Sequence, residues 1–66
     1  KIRVIYPYEF EGVMKSILKK YQAEVIHKNF GKKIDIQLYI NIELANEFIN
    51  SVNELSSGST QIITED

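Results

Sequence analysis

The sequence contains no cysteine, one histidine, one proline and three glycines among its 66 residues. Without cysteine, no disulfide can staple the fold and no thiolate cluster can hold zinc or an iron–sulfur centre. A lone histidine and the absence of a glycine-rich phosphate loop leave no set of convergent groups for catalysis. No apolar run is long enough to cross a membrane or to act as a signal peptide. These absences favour a non-enzymatic domain without metal or cofactor, and the lack of cysteine fits the reducing cytoplasm.

The length of the chain suits one domain, which buries only part of its surface on folding. At the usual ~0.05 to 0.15 kcal/mol per residue, its free energy of unfolding is expected to be about 3 to 10 kcal/mol. The sequence begins at Lys1 directly within a strand-like pattern. We therefore expect residues 1–66 to be a single domain of a longer protein, with part of its surface facing a second domain.

Two kinds of periodicity near the start predict a strand followed by a helix. Apolar side chains alternate from Ile2 to Tyr6, and Pro7 then removes a backbone donor and ends the strand. Beyond the proline, apolar residues recur at spacings of three and four with charged residues between them, which predicts an amphipathic helix. Its apolar stripe comprises Phe10, Val13, Met14, Ile17, Leu18 and Tyr21.

The middle of the chain predicts a β-hairpin. The segment from Ala23 to Phe30 is rich in strand-forming residues, and Gly31 with Lys32 supplies a tight turn in which positive φ is easily adopted. Residues 34–40 then alternate strictly, so one face of this strand should be buried and the other exposed. The two strands should pair with each other in antiparallel orientation.

A second helix and a last strand complete the pattern. Asn41 is suited to cap the helix because its side-chain oxygen can accept a hydrogen bond from a free helical N–H. The helix should end at residues 56–58, where Gly58 can take the left-handed conformation. Gln61 to Thr64 predict the final strand. The apolar stripe of the helix comprises Ala45, Phe48, Ile49, Val52 and Leu55.

The predicted order of elements is β-α-β-β-α-β. This order is typical of the ferredoxin-like α+β fold, in which two helices pack on one face of a four-stranded antiparallel sheet with right-handed crossovers. The first and third strands should lie in the centre of the sheet. The sheet face away from the helices should remain open.

Charge is distributed unevenly along the chain, although the net charge is only −1. Residues 1–33 hold all eight basic residues and carry a net charge of +5, whereas residues 34–66 carry −6. Basic residues on the first helix and the hairpin predict a positive patch that binds phosphates, with affinity falling as salt rises. The alternative is internal compensation, with lysines of the first helix facing glutamates of the second. The candidate nucleic-acid contacts are Lys19, Lys20, Lys28, Lys32 and Lys33.

The open sheet face offers a second candidate site. RNA-recognition motifs of this topology stack bases on aromatic residues of the central strands, whereas here Tyr39 is the only aromatic residue at such positions and Asp35 would repel phosphate. A mixed face around Ile5 and Tyr39 therefore favours protein docking or dimerisation. A third hypothesis is effector sensing near Gly12, a glycine within the helical pattern that close packing or a bound anion would explain. His27, on an edge strand, is expected to be a solvated side chain without a catalytic role.

Three short motifs extend across nearly the whole chain. They are Tyr8-Glu-Phe-Glu-Gly12 before a helix, Phe30-Gly31 before an alternating strand, and Leu55-Ser-Ser-Gly58 before the last strand. In these motifs the sequence resembles the C-terminal domain of YigZ-type proteins of the IMPACT family. It departs from the family pattern at Phe30, where tyrosine is usual, and at Ser59, where arginine often follows the glycine.

The resemblance implies a ferredoxin-like domain of unknown function, similar in fold to the third and fifth domains of elongation factor G. It also implies a preceding N-terminal domain similar to the fourth domain of that factor, on which this domain would dock. A link to RNA or the ribosome follows by analogy of fold. Ser59 in place of arginine weakens a phosphate-binding role for the last turn, and the oligomeric state stays open.

Overall fold

The structure, a computed structural model, describes residues 1–64 as a four-stranded antiparallel sheet with two helices on one face. The strands are β1 (Ile2–Tyr6), β2 (Glu24–Phe30), β3 (Ile34–Tyr39) and β4 (Gln61–Thr64). The helices are α1 (Glu11–Lys20), which follows a short 3-10 helix at Tyr8–Phe10, and α2 (Ile42–Leu55). The strand order β2-β3-β1-β4 is that of the ferredoxin-like fold, which confirms the predicted fold class.

The register of the central strands defines two ends of the sheet. Tyr6 pairs with Ile34, so the last residue of β1 meets the strand that leaves the β2–β3 connection. At the other end, Ile2 pairs with Leu38. We call the first the hairpin end, defined by the connecting residues 31–33, and the second the opposite end.

The hydrophobic core lies between the sheet and the two helices. On β3, Ile34, Ile36 and Leu38 are buried, as the strict alternation of this segment predicts. Phe48 of α2 is fully buried and meets Tyr21 edge to face, with ring centroids 6.0 Å apart and planes at 89°. The other buried apolar residues are Ile2, Val4, Tyr6, Phe10, Met14, Ile17 and Val52.

Helix α2 begins as predicted and ends with a different exposure pattern. The Asn41 side chain accepts a hydrogen bond from the N–H of Glu43 at 2.9 Å, which confirms the N-cap. At the other end the chain leaves the helix through two left-handed residues, Ser57 with φ 53° and Gly58 with φ 81°. Leu55, assigned to the buried stripe, is 60% exposed, so that assignment was wrong. Neither of the helices found within residues 1–64 is long and apolar enough to span a membrane.

Strand β2 is an edge strand whose side chains are all exposed. Between Val25 and His27 its pairing with β3 shifts by a bulge, which interrupts the alternation of side chains between the two faces. The connection to β3 closes with a hydrogen bond from the N–H of Gly31 to the carbonyl of Lys33 at 3.1 Å. Gly31 does not adopt positive φ, so the turn geometry predicted for it was wrong.

Candidate functional site

Two exposed aromatic side chains lie together at the hairpin end. Tyr8 belongs to the 3-10 helix that follows Pro7, and Phe30 is the last residue of β2. Their rings are stacked, with centroids 6.5 Å apart and planes inclined by 21°. The Tyr8 hydroxyl donates a hydrogen bond to the Gly31 carbonyl at 2.5 Å, which holds the pair against the hairpin. Phe30 is 66% exposed and Tyr8 48%, so the pair presents aromatic surface to solvent.

A solvent-open hollow of about 620 Å³ lies beside Phe30. This volume falls within the range of small-ligand sites, ~300 to 1,000 Å³. Its lining combines apolar side chains with one amide group, two lysines and one carboxylate. The lining residues are Ile5, Asn29, Phe30, Gly31, Lys32, Lys33 and Asp35.

Asp35, the acidic residue of the hollow, is paired with Arg3 of β1. Arg3 Nε donates to Oδ1 at 3.0 Å and Nη2 donates to Oδ2 at 2.5 Å, a bidentate arrangement. The hydrogen bonds from Arg3 lower the pKa of Asp35, although partial burial of the carboxyl acts in the opposite direction. The carboxylate is therefore ionised and compensated by a cation. The repulsion of phosphate that the sequence predicts for Asp35 is reduced accordingly.

Glu11 joins the core to the edge strand on the helix side of the sheet. Its carboxylate accepts a hydrogen bond from the buried Tyr6 hydroxyl at 2.7 Å and pairs with Lys28 Nζ at 2.8 Å. Burial raises the pKa of Glu11, but the hydrogen bonds from Lys28 and Tyr6 outweigh it and bring the pKa below its usual value. Burial and the same carboxylate raise the pKa of Tyr6. The ammonium of Lys28 also lies 5.3 Å from the centroid of the Phe30 ring, so this lysine already has two partners.

The predicted lysine contacts do not form one patch. Lys32 and Lys33 are exposed at the hairpin end, whereas Lys19 and Lys20 lie in the last turn of α1 near the opposite end. The seven residues of β2 separate the two groups by about 20 Å. Lys28 lies between them, bound to the carboxylate of α1. Within residues 1–64, neither Lys32 nor Lys33 makes an ion pair and no ion pair joins α1 to α2, so the predicted compensation between the helices is not found there.

The two predicted docking residues lie at different ends of the open sheet face. Ile5 is half-buried near the hairpin end and pairs with Asp35. Tyr39 is 52% exposed, four positions further along β3, about 13 Å away. Gln37 and the ion pair of Arg3 lie between them, so the two apolar side chains do not form a continuous patch. Their docking role stays a prediction.

His27 is exposed on β2, opposite Gln37 on the open face of the sheet. None of the side-chain hydrogen bonds found within residues 1–64 involves it. In the same described part of the chain, no group of three or more histidine, cysteine, aspartate or glutamate side chains is placed to hold a metal ion. Among the described residues, the aromatic pair of Tyr8 and Phe30 and the exposed lysines at positions 32 and 33 therefore remain as the candidate site.

Gly12 lies in the first turn of α1, where a Cβ would meet no atom within 4 Å. Close packing therefore does not explain this glycine. Because helical glycine is less favourable than alanine, we expect Gly12→Ala to raise the free energy of unfolding by about 0.4 to 1 kcal/mol. For a domain of this size the midpoint of thermal unfolding, followed by circular dichroism, should rise by roughly 2 to 8 °C.

The control is the same substitution at Gly58, whose φ of 81° strains any residue with a Cβ. Gly58→Ala should lower the melting temperature. If Gly12→Ala lowers it as well, the absence of packing at Gly12 is contradicted.

A family described as a domain of unknown function (DUF1949) matches residues 4–59. The chain belongs to this family. The match confirms the predicted resemblance of this chain to that C-terminal domain of unknown function. No curated protein matches this chain significantly.

Among solved structures, one described as "Crystal structure of an hypothetical protein" superposes on the DUF1949 domain with a TM-score of 0.88. It covers 98% of this chain at 14% sequence identity, which shows a common fold only. The match covers 32% of the other protein, so the chain spans about a third of the length of that structure.

Sequence reasoning missed the pairing of Tyr8 with Phe30. Both residues belong to the family motifs, but the motifs do not indicate that the two rings form one aromatic surface. The sequence signals were weak: Tyr8 follows Pro7 and Phe30 precedes the Gly31 turn. The two residues are 22 positions apart, and they meet only when the sheet has formed.

Proposed function

We propose that this DUF1949 domain is a non-catalytic accessory domain that binds RNA through its hairpin end. The observation that carries the proposal is the position of Lys32 and Lys33, exposed and without ion pairs within residues 1–64, beside the exposed rings of Tyr8 and Phe30. Lysines on a turn suit the phosphate backbone, and exposed aromatic rings suit unpaired bases. As part of a longer cytoplasmic protein, the domain would help that protein contact RNA or the ribosome.

The small net charge of −1 does not oppose this proposal, because the acidic residues are concentrated after residue 33. Near the hairpin end, Asp35 is compensated by Arg3 and Glu11 by Lys28. The local field at the turn is therefore set mainly by the two lysines and by the exposed carboxylate of Glu9 beside Tyr8, which opposes them in part. Association steered by such a local field is weak and sensitive to salt.

Binding of a fluorescein-labelled oligouridylate, followed by anisotropy at several salt concentrations, tests the proposal. Each phosphate contact on a single strand contributes about −0.7 to the slope of log K against log salt. The double substitution Lys32→Gln with Lys33→Gln should therefore reduce that slope by about 1.4 and weaken binding at low salt.

The matched control is Lys19→Gln with Lys20→Gln, which removes the same charge at the opposite end. This variant should keep the slope of the unmodified domain. Equal losses in the two variants would mean that only net charge matters, and no binding at low salt would refute RNA binding altogether.

A second candidate function is docking on a preceding domain of the same protein. A groove of about 260 Å³ at the opposite end is lined by apolar residues of α2 and its approach, and Lys1 also lines it. Ile42 in this groove is 87% exposed and lies beside further apolar side chains, and contiguous apolar surface of this kind is typical of interaction sites. NMR shifts confined to the groove on addition of the upstream domain would favour docking. The lining residues are Lys1, Ile2, Ile40, Ile42, Ala45, Asn46, Ile49 and Thr64.

Dimerisation through the open sheet face and effector sensing near Gly12 are less favoured by the contacts described above. Ile5 and Tyr39 are separated by polar side chains, and Gly12 lines neither of the two hollows described above. Self-association that rises with protein concentration at any salt would support dimerisation. Thermal stabilisation by a metabolite would support effector sensing.

A further inference from the structure

The strand register divides the side chains of the hairpin end between the two faces of the sheet. Ile5 pairs with Asp35 from one side and Asn29 pairs with it from the other, so these three side chains lie together on the open face. Phe30 pairs with Ile34, which is buried in the core, so its ring belongs to the helix face. The hollow beside residues 31–33 therefore lies on the open face, separate from the aromatic pair.

Asp35 presents a fixed hydrogen-bond acceptor in this hollow. Arg3 donates through Nε to Oδ1 at 3.0 Å and through Nη2 to Oδ2, which orients the carboxylate. These hydrogen bonds lower the pKa of Asp35, so the carboxylate is ionised at neutral pH and can only accept. A carboxylate has about four acceptor positions, and the three hydrogen bonds from Arg3 leave one of them. Because 23% of the side chain is exposed, a ligand in the hollow can reach it.

Cationic and amide donors border the same hollow. Lys32 and Lys33 are exposed and make no ion pair within residues 1–64, so their ammonium groups can contact phosphate oxygens. Asn29 offers two amide N–H donors from the edge strand. Lys33 precedes Asp35 by two residues, at most about 7 Å along an extended chain. One ribose with its phosphate can therefore span from the cations to the acceptor.

We propose that this hollow takes one ribose–phosphate unit of an RNA strand, with the 2′-hydroxyl donating to the Asp35 carboxylate and the adjoining phosphates on Lys32 and Lys33. The carbon face of the ribose covers Ile5, the half-buried apolar side chain of the hollow. Deoxyribose has no donor at that position, so Asp35 distinguishes RNA from DNA. A hydroxyl donor also gives the carboxylate a favourable partner in a site that otherwise suits anions. This inference rests on the proposed RNA binding and names how the sugar is recognised.

The test compares three labelled probes of equal length and charge: an oligouridylate, an oligodeoxyuridylate and a 2′-O-methyl oligouridylate. The methylated probe keeps the 2′ oxygen but has no proton to donate. The unmodified domain should bind the oligouridylate about two- to tenfold more tightly than either of the others, the usual effect of one hydrogen bond. Asp35→Ala should remove this preference. Asp35→Asn, which keeps a neutral carbonyl acceptor, should reduce it and provides the test if Asp35→Ala does not fold.

Glu24→Ala is the matched control, because it removes another carboxylate of the open face, opposite Tyr39 and outside the hollow. This variant should keep the preference for the oligouridylate. Loss of a negative charge raises the affinity for all three probes alike, so the ratio of affinities within one variant isolates the effect of the hydroxyl. Circular dichroism spectra verify that each variant is folded.

The outcomes separate the inference from the function on which it rests. Equal, salt-dependent binding of the three probes would overturn recognition of the sugar and leave binding through phosphates in place. A preference for the oligouridylate that is unchanged in the Asp35 variants would place recognition of the hydroxyl elsewhere and also overturn the inference. Displacement of the oligouridylate by uridine monophosphate at an equal concentration of nucleotide would assign the hollow to a free nucleotide instead of RNA. Binding of none of the probes at low salt would overturn both proposals.

Discussion

Replacing Phe48 with alanine is expected to remove about 3 to 5 kcal/mol from the free energy of unfolding, the usual cost of truncating a buried phenylalanine. The side chain is fully buried, so the substitution would leave a cavity between α2 and the sheet. It would also abolish the edge-to-face contact with Tyr21. Because the free energy of unfolding of a domain of this length is only ~3 to 10 kcal/mol, the substitution removes most of it, and a domain at the low end of this range unfolds.

Urea denaturation followed by circular dichroism at 222 nm measures this loss. The matched control is Ile42→Ala on the same helix, where the side chain is 87% exposed and truncation should change stability by less than about 0.5 kcal/mol. Similar losses for the two variants would contradict the assignment of Phe48 to the centre of the core.

The second large effect is expected at Glu11. Glu11→Ala deprives the buried Tyr6 hydroxyl of its acceptor and Lys28 of its counterion, and an unsatisfied buried hydroxyl costs about 1 to 3 kcal/mol. Glu9→Ala, which removes the same charge two residues away at an exposed position, should cost much less. The loss should shrink when Tyr6→Phe is already present, and an additive double-mutant cycle would contradict the coupling.

The same contacts give the stability a dependence on pH. In the folded domain the pKa values of both Glu11 and Asp35 are lowered, so the unfolded chain binds protons more readily than the folded one. Their stabilisation is therefore present above the unfolded pKa values, about 4 for carboxyl groups, and is lost as the pH falls through the lower folded values. The urea midpoint should fall across this acidic range, and it should fall less steeply in Glu11→Ala.

The fold could be predicted because its signals are local and repeated. The alternation of Ile34, Ile36 and Leu38 and the cap at Asn41 each specify one element without reference to the rest of the chain. The predicted burial of Leu55 was wrong because periodicity shows only which side of a helix a residue occupies. It does not show whether another part of the protein packs against the last turn. The bulge in β2 could likewise not be predicted from the sequence, because it depends on how β2 pairs with β3.

The candidate site was only partly predictable for a related reason. Lys32 and Lys33 were identified from charge alone, but composition does not say at which end of a sheet a lysine lies. Lys19 and Lys20 were therefore grouped with them, although the fold places the two groups at different ends. The aromatic pair requires the closure of the whole β-α-β unit, because Tyr8 precedes α1 and Phe30 follows β2.

The exposure of every side chain on β2 has a consequence for local opening of the domain. Detaching this strand breaks its backbone hydrogen bonds to β3 and the Glu11–Lys28 bridge, but it uncovers little apolar surface of its own. Segments of that kind open at a lower free energy than the core and show the weakest amide hydrogen-exchange protection. Phe30 would thus be carried by a weakly protected edge strand, and a ligand held there would slow exchange along β2 while leaving β1 unaffected.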